Sequence, residues 1–177
     1  LAASHLREPG LPGLVTHNLV QYGLPADSLG LEVTESVLLS DPEESIKNAN
    51  TLARWGVALS LDDFGIGYSS LSYLKRLPVS QVKIDQSFVR DLTTDASDAA
   101  IITASIAMAH TLGISVVAEG VEQEEQRAFL QRHGCNEYQG FLFSRPLPAA
   151  EFATLVLNQP AVLPVTPRAA APLVRVV

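Results

Sequence analysis

Residues Val57-Ala58-Leu59-Ser60-Leu61-Asp62-Asp63-Phe64-Gly65-Ile66-Gly67 run from an apolar strand into two adjacent acids and then a glycine-rich turn. The preceding stretch reads as a helix, with Asp41 as N-cap, Pro42 at the first helical position and Glu44 completing a capping box. Ile46, Ala49, Leu52 and Ala53 recur at helical spacing before Gly56 stops it. The pattern is therefore a helix followed by a buried strand that ends in carboxylates.

The same alternation repeats outward in both directions. Helices are expected over residues 12–22, 98–112, 122–133 and 149–157, and short apolar strands over 29–33, 81–84, 115–118 and, more weakly, near Tyr138. These strands read as buried on both faces. Such strands, separated by amphipathic helices, imply right-handed crossovers and a parallel sheet, either doubly wound or closed as a barrel. No Gly-x-Gly-x-x-Gly turn opens a helix, so the barrel is favoured over a dinucleotide fold. From Asn158 onward Pro160, Pro164, Pro167 and Pro172 punctuate an Ala- and Val-rich stretch, which is expected to be a disordered tail over 158–177 after a domain over 1–157.

Composition limits the function. The chain has 177 residues, 47% hydrophobic and 18% charged, and 12 Lys plus Arg against 19 Asp plus Glu give a net charge of −7. Without a basic excess, duplex nucleic acid is not an expected partner. A small anionic nucleotide remains compatible if metal ions supply the positive charge. The single cysteine, Cys135, cannot form an intramolecular disulfide and reads as a small buried hydrophobe, which suits a cytoplasmic setting. No stretch approaches a membrane span, and no signal peptide is recognisable. His5, His17, His110 and His133 show no metal-ligand spacing and read as caps or surface residues. Trp55 is expected to pack its helix against the barrel, and Phe141 is open between core aromatic and base-stacking platform.

The acids fall at strand ends. Glu32 lies in the first strand with Glu35 just beyond, Asp62-Asp63 close the second, Lys83 and Asp85 lie in the third, and Glu119 and Glu122 follow the fourth. The C-terminal strand ends of a parallel barrel form its active-site face, where these groups are expected to converge. Converging carboxylates need a cation between them, and an oxygen-rich set selects Mg²⁺, Mn²⁺ or Ca²⁺ over Zn²⁺. Two such ions suit phosphodiester hydrolysis. Asp62 and Asp63 can both serve one site only if the backbone turns between them. Lys83 and Asp85, two apart, are expected on one strand face, where the lysine could orient an attacking water. For any single acid, a helix cap or solvated loop charge is an equal reading. A Schiff-base role for Lys83 is disfavoured, because neighbouring acids raise the pKa that such a role needs lowered.

Five motifs carry a resemblance. They are Leu31-Glu32-Val33-Thr34-Glu35-Ser36, Asp62-Asp63-Phe64-Gly65-Ile66-Gly67-Tyr68-Ser69-Ser70, Val82-Lys83-Ile84-Asp85, Val117-Ala118-Glu119-Gly120-Val121-Glu122, and Tyr138-Gln139-Gly140-Phe141 with Phe143-Ser144-Arg145-Pro146-Leu147 after it. In this order and spacing the chain resembles the EAL domain, the bacterial second-messenger phosphodiesterase that linearises cyclic di-GMP. The resemblance implies a modified TIM-like (β/α)₈ barrel. It implies Glu32, Asp62, Asp63 and Glu119 as metal ligands, with Asp62 bridging two Mg²⁺ or Mn²⁺ ions. Lys83 is implied to hold the nucleophilic water with Asp85 beside it, and Glu122 and Gln139 to order water. Glu35 is implied to anchor the loop 64–70, which in the family couples the metal site to dimerisation, so a homodimer or upstream regulatory domains are expected. The family most often has Thr where this chain has Ile66.

The family's Glu-Ala-Leu motif does not precede Glu32, since the only earlier glutamate is Glu8, and the family's Asn ligand should directly precede Leu1. Two ligands of one metal are thus expected outside this chain. Hydrolysis is then expected of a longer parent, and a catalytically inactive cyclic di-GMP-binding or interaction module is the alternative. A complete barrel needs ~250 residues, and five of eight units correspond to roughly 156. An α/β barrel incomplete at its N-terminus, with about five βα units and exposed edges, is the expected architecture.

Overall fold

The computed structural model describes residues 3–34, 42–66 and 74–158. The expected N-cap Asp41, the loop anchor Glu35, loop residues 67–70 and all of the tail but Asn158 lie outside the described residues.

Five strands, β1 (Gly30–Thr34), β2 (Ala58–Phe64), β3 (Gln81–Ile84), β4 (Ser115–Ala118) and β5 (Glu137–Tyr138), form a sheet in the order β1-β2-β3-β4-β5. Sequential order is what repeated right-handed βα crossovers produce. The chain divides into two compact units, residues 1–83 with 109–114, and residues 84–108 with 115–177.

In the first unit, β1 and β2 pair in parallel with Leu31 opposite Leu59, Glu32 opposite Ser60 and Thr34 opposite Asp62. Helix α3 (Pro42–Arg54) joins them, with Glu43 and Glu44 in its first turn and Arg54 in its last, charges that complement the helix dipole. Its buried stripe is Ile46, Ala49 and Leu52, and Ser45 and Asn48 are buried with it. Asn48 earns its interior place by donating from Nδ2 to the carbonyls of Leu6 at 2.8 Å and Glu8 at 3.0 Å. This ties the short helix α1 (Ala3–Leu6) and its exit turn to α3. Helix α2 (Leu11–Tyr22) ends at Gly23, whose φ of +64 gives the left-handed cap that glycine adopts most easily.

In the second unit, β4 and β5 pair in parallel, Val117 opposite Glu137 and Ala118 opposite Tyr138. The unit also holds α4 (Gln86–Arg90), α6 (Glu124–Arg132) and α7 (Ala149–Asn158), together with the part of α5 (Ala96–Thr111) up to Met108. Helix α5 begins two residues before the expected Asp98, because Asp95 rather than Asp98 accepts the early N–H of Ser97 at 2.7 Å. That bond holds the Asp95 carboxyl below its usual pKa.

Two expectations need correction. Burial on both faces holds for three of the four residues in β3 and in β4, but β2 buries only Leu59, Leu61 and Phe64, β5 buries neither residue, and β1 buries only Val33. It ends the strand order, so no further described strand covers its outer edge. Trp55 is 44% exposed and stands outside the buried core, whereas Leu52 and Val57 on either side of the helix stop are buried. The four histidines are exposed, as expected. No described helix is long and apolar enough to cross a membrane.

Two substitutions test this framework. Asn48→Ala removes both bonds to the N-terminal turn and is expected to cost about 1–3 kcal/mol in chemical denaturation. Gly140→Ala is expected to cost more than about 2 kcal/mol, because φ is unfavourable and backbone atoms would collide. The Gly140 φ is +155, and an added Cβ would lie 2.1 Å from the Val121 carbonyl oxygen.

Candidate active site

In the first unit the sequence-expected residues Glu32, Asp62 and Lys83 come together. Glu32 precedes the buried Val33 and so points away from the β1 core face. Lys83, on β3, has a side chain only 8% exposed, and its Nζ lies 2.8 Å from Glu32 Oε1 and 3.3 Å from Asp62 Oδ1. A buried ammonium is costly unless paired, and two carboxylates near each other repel. Each side of the cluster therefore removes the other's penalty. The compensation is incomplete at one atom. Asp62 Oδ1 is buried and has no hydrogen-bond partner among the described residues, although the ammonium is near. The 3.3 Å approach is an ion contact without hydrogen-bond alignment, so this oxygen retains unused acceptor capacity.

Asp63 provides the backbone turn that two adjacent acids require, but not by ending the strand. β2 continues to Phe64, and Asp63 within it has φ +56, the one left-handed residue other than glycine among those described. Leu59 and Leu61 are buried at period two, and the next buried residue is Phe64, three further on. The left-handed step thus shifts the phase of the strand and takes Asp63 out of the buried position that strict alternation assigns it. Aspartate tolerates this conformation better than most residues.

Asp85 departs from expectation. β3 stops at Ile84, and Asp85 is the N-cap of α4, its Oδ1 accepting the Ser87 N–H at 2.8 Å. The strand face expected to carry Lys83 and Asp85 together does not form, because the chain leaves the strand one residue too early. The cap reading holds for this acid.

In the second unit, Glu119 leaves the end of β4 and is fixed at both ends of the residue. Its N–H donates to the Ile84 carbonyl at 3.1 Å, and its Oε1 accepts from Gln139 Nε2 at 2.8 Å. Gln139 is held in turn by its own backbone, which donates to Ala118 at 2.9 Å and accepts from the Val121 N–H at 3.0 Å. Gly120 has φ +68, and a Cβ there would meet Gln86 Cβ at 2.6 Å. Glu122 enters through its N–H, bound by Gln126 Oε1 at 2.9 Å.

Gln126 was not an expected residue of the site. The signal available in sequence was the half capping box formed by Gln123 and Gln126, three apart at the start of α6. Phe141 is 49% exposed and carries the Arg145 guanidinium 4.5 Å from its ring centre, which rules out the core reading. Cys135 is buried, and burial pushes its thiol pKa up to about 12, so it is not a nucleophile.

Among the described residues, no three Asp, Glu, His or Cys side chains gather into a metal-binding group. Chemically, the Glu32–Asp62 pair still fits a hard divalent cation, since its donors are all oxygen and Asp62 Oδ1 is unsatisfied.

Comparison with known proteins gives the family. The EAL domain profile matches residues 1–146. The bifunctional diguanylate cyclase/cyclic di-GMP phosphodiesterase MucR of Pseudomonas aeruginosa is 47% identical over 156 residues, which cover 88% of this chain and 23% of MucR. A solved MucR phosphodiesterase in complex with c-di-GMP superposes with a TM-score of 0.82 at 47% identity, covering 86% of this chain and 62% of that one. A manganese and cyclic di-GMP complex of Klebsiella pneumoniae BlrP1 superposes with a TM-score of 0.72 at 39% identity, over 78% of this chain and 36% of that one. With its parallel α/β sheet and TIM-like barrel relatives, the chain belongs to the EAL domain family.

Proposed function

We propose that this chain carries the residues for metal-dependent hydrolysis of cyclic di-GMP to linear pGpG. The observation that supports this reading most directly is the Glu32–Lys83–Asp62 cluster, in which a buried lysine is aimed by two carboxylates and one carboxylate oxygen is left unsatisfied. The c-di-GMP and manganese complexes of the relatives supply the ligand chemistry.

Glu32, Asp62, Asp63 and Glu119 are the proposed ligands of two Mg²⁺ or Mn²⁺ ions. Such ions supply Lewis acidity, which lowers the pKa of water and neutralises charge developing on phosphorus. The chain's own residues do the positioning. Lys83, held by Glu32 and Asp62, orients the attacking water in line with the scissile bond. Gln139 fixes the Glu119 carboxylate, and Glu122 orders water beside it. Attack on one phosphorus breaks the bond to the 3′ oxygen, which leaves with a proton and yields a 5′-phosphate on the linear product. Asp85 is proposed to act through the placement of α4 after Lys83, since its carboxylate is occupied as a cap. We also propose a homodimer, upstream regulatory domains in the longer protein and a cytoplasmic location. The resemblance of the loop 64–70 supports the dimer, and the lone buried Cys135 suits a reducing compartment.

The direct test is turnover of cyclic di-GMP by the chain and by its longer parent with Mn²⁺, followed by chelation. Linear pGpG is expected to appear with metal and to stop with chelator. Binding measured by calorimetry without any product from either protein rejects hydrolysis and supports the binding-module alternative. Lys83→Met is expected to reduce turnover by about a hundredfold or more. Without metal, it is also expected to lower stability at neutral pH by about 1–3 kcal/mol, because two partly exposed carboxylates lose their shared counter-charge. Thermal melting with and without Mn²⁺ separates the two effects, since added metal is expected to recover melting temperature and leave turnover low.

A further inference from the structure

Gln126 lies in the first turn of α6, buried, with every hydrogen-bonding position of its amide in use. Oε1 accepts the N–H groups of Glu122 and Gln123, both at 2.9 Å. Nε2 donates to the carbonyls of Val89 at 3.0 Å and Arg90 at 3.3 Å. Two acceptor and two donor sites are all that a glutamine amide has. Its orientation is fixed by its partners, because a flipped amide would face N–H against N–H and carbonyl against carbonyl. The side chain thus joins the exit of the acidic loop 119–122 to the C-terminal end of α4, the helix that Asp85 starts.

We propose that Gln126 is the positioning residue of the acidic loop. It sets Glu119 and Glu122 relative to the chain that follows β3, and its effect on catalysis rests on the phosphodiesterase reading above. The physical argument is one of supports. At its start the loop is held by Glu119 N–H on the Ile84 carbonyl, and in its middle by Val121 N–H on the Gln139 carbonyl. At its far end the N–H groups of Glu122 and Gln123 both rest on Gln126 Oε1. Gly120, with φ +68, sits between the first two holds and is the point where the loop can bend. Releasing the far end leaves the loop held at Glu119 and Val121, on either side of Gly120, and takes the support from its exit at Glu122 and Gln123. The Glu119 carboxylate, oriented by Gln139, shares that loop. No group at Gln126 touches substrate in this proposal, so its contribution is geometric.

The two ends of the amide can be separated by substitution. Gln126→Leu keeps approximate volume and removes all four bonds. Gln126→Glu keeps the acceptors for Glu122 and Gln123 and loses the donors to Val89 and Arg90. Ile106→Val, a buried change on α5, serves as a control for general loss of stability. Amide hydrogen exchange is read at Glu119 and Val121, whose N–H partners are not Gln126, and kcat and KM are read for cyclic di-GMP with Mn²⁺.

For Gln126→Leu, exchange at Glu119 and Val121 is expected to quicken about tenfold relative to the control. Its kcat is expected to fall about tenfold or more while KM stays within about threefold. Gln126→Glu is expected to fall between wild type and Gln126→Leu in both readouts. Unchanged exchange at Glu119 and Val121, or the same change in Ile106→Val, overturns the positioning role. If wild type has no turnover while the exchange pattern appears, the phosphodiesterase reading fails and the positioning of the loop stands. If wild type turns over and Gln126→Leu matches it in kcat, the catalytic part of the proposal is overturned.

Discussion

The charge balance at Lys83 constrains the first unit more than any other interaction. A single ammonium, almost wholly withdrawn from water, faces Glu32 at 2.8 Å and Asp62 at 3.3 Å. Glu32 and Asp62 both face this ammonium, on side chains that solvent partly screens. An apolar residue in place of the lysine would leave two like charges side by side. An apolar residue in place of either acid would leave less negative charge to attract a cation. The composition of the strand ends therefore follows from electrostatics, and an all-oxygen pair of carboxylates suits a divalent ion.

That balance requires the strands to deliver the groups to the right places. Parallel pairing sets Thr34 opposite Asp62 and Glu32 opposite Ser60, so the two acids are offset by two pairs along the ladder rather than directly opposed. Face alternation then keeps Val33 in the core and Glu32 out of it. The local exception is Asp63. Its left-handed conformation interrupts the period-two pattern so that two consecutive acids avoid the buried face while Phe64 still reaches it. A conformation of this kind costs free energy at a residue with a side chain, and such outliers concentrate at functional positions.

Periodicity and capping chemistry are local, and the features that depend on them could be read from the sequence. β3 and β4 were legible to the residue, and the extent of α2 and α3 followed from Pro12, Pro42, Gly23 and Gly56. The errors arose where two local signals compete. Asp85 fits a strand continuing from Lys83 as well as it fits a helix cap, and only the Ser87 N–H decides between them. Asp95 outcompeted Asp98 as the start of α5 for the same kind of reason. Trp55 reads as core because it is large and apolar, but it follows the end of α3 and is 44% exposed. The convergence of Glu32, Asp62 and Lys83 was legible because acids at successive strand ends form a pattern. The role of Gln126 was not, because Val89 and Arg90 lie 37 and 36 residues away in sequence.

The two units hold their carboxylates by different means, and the difference has a chemical consequence. In the first, a lysine orients Glu32 and Asp62 and also offsets their charge. In the second, Gln139 orients Glu119 through a neutral amide, and Gln126 holds the loop through another. An amide donor fixes the direction of a carboxylate but leaves its full negative charge in place. Gln139 accordingly directs the Glu119 carboxylate without adding a charge of its own, which suits the ligand role proposed for this acid. Replacing Gln139 with lysine would preserve a donor near Glu119 but spend its charge on an internal ion pair. At this contact an amide orients the acid and adds no positive charge, which is compatible with the cation proposed there.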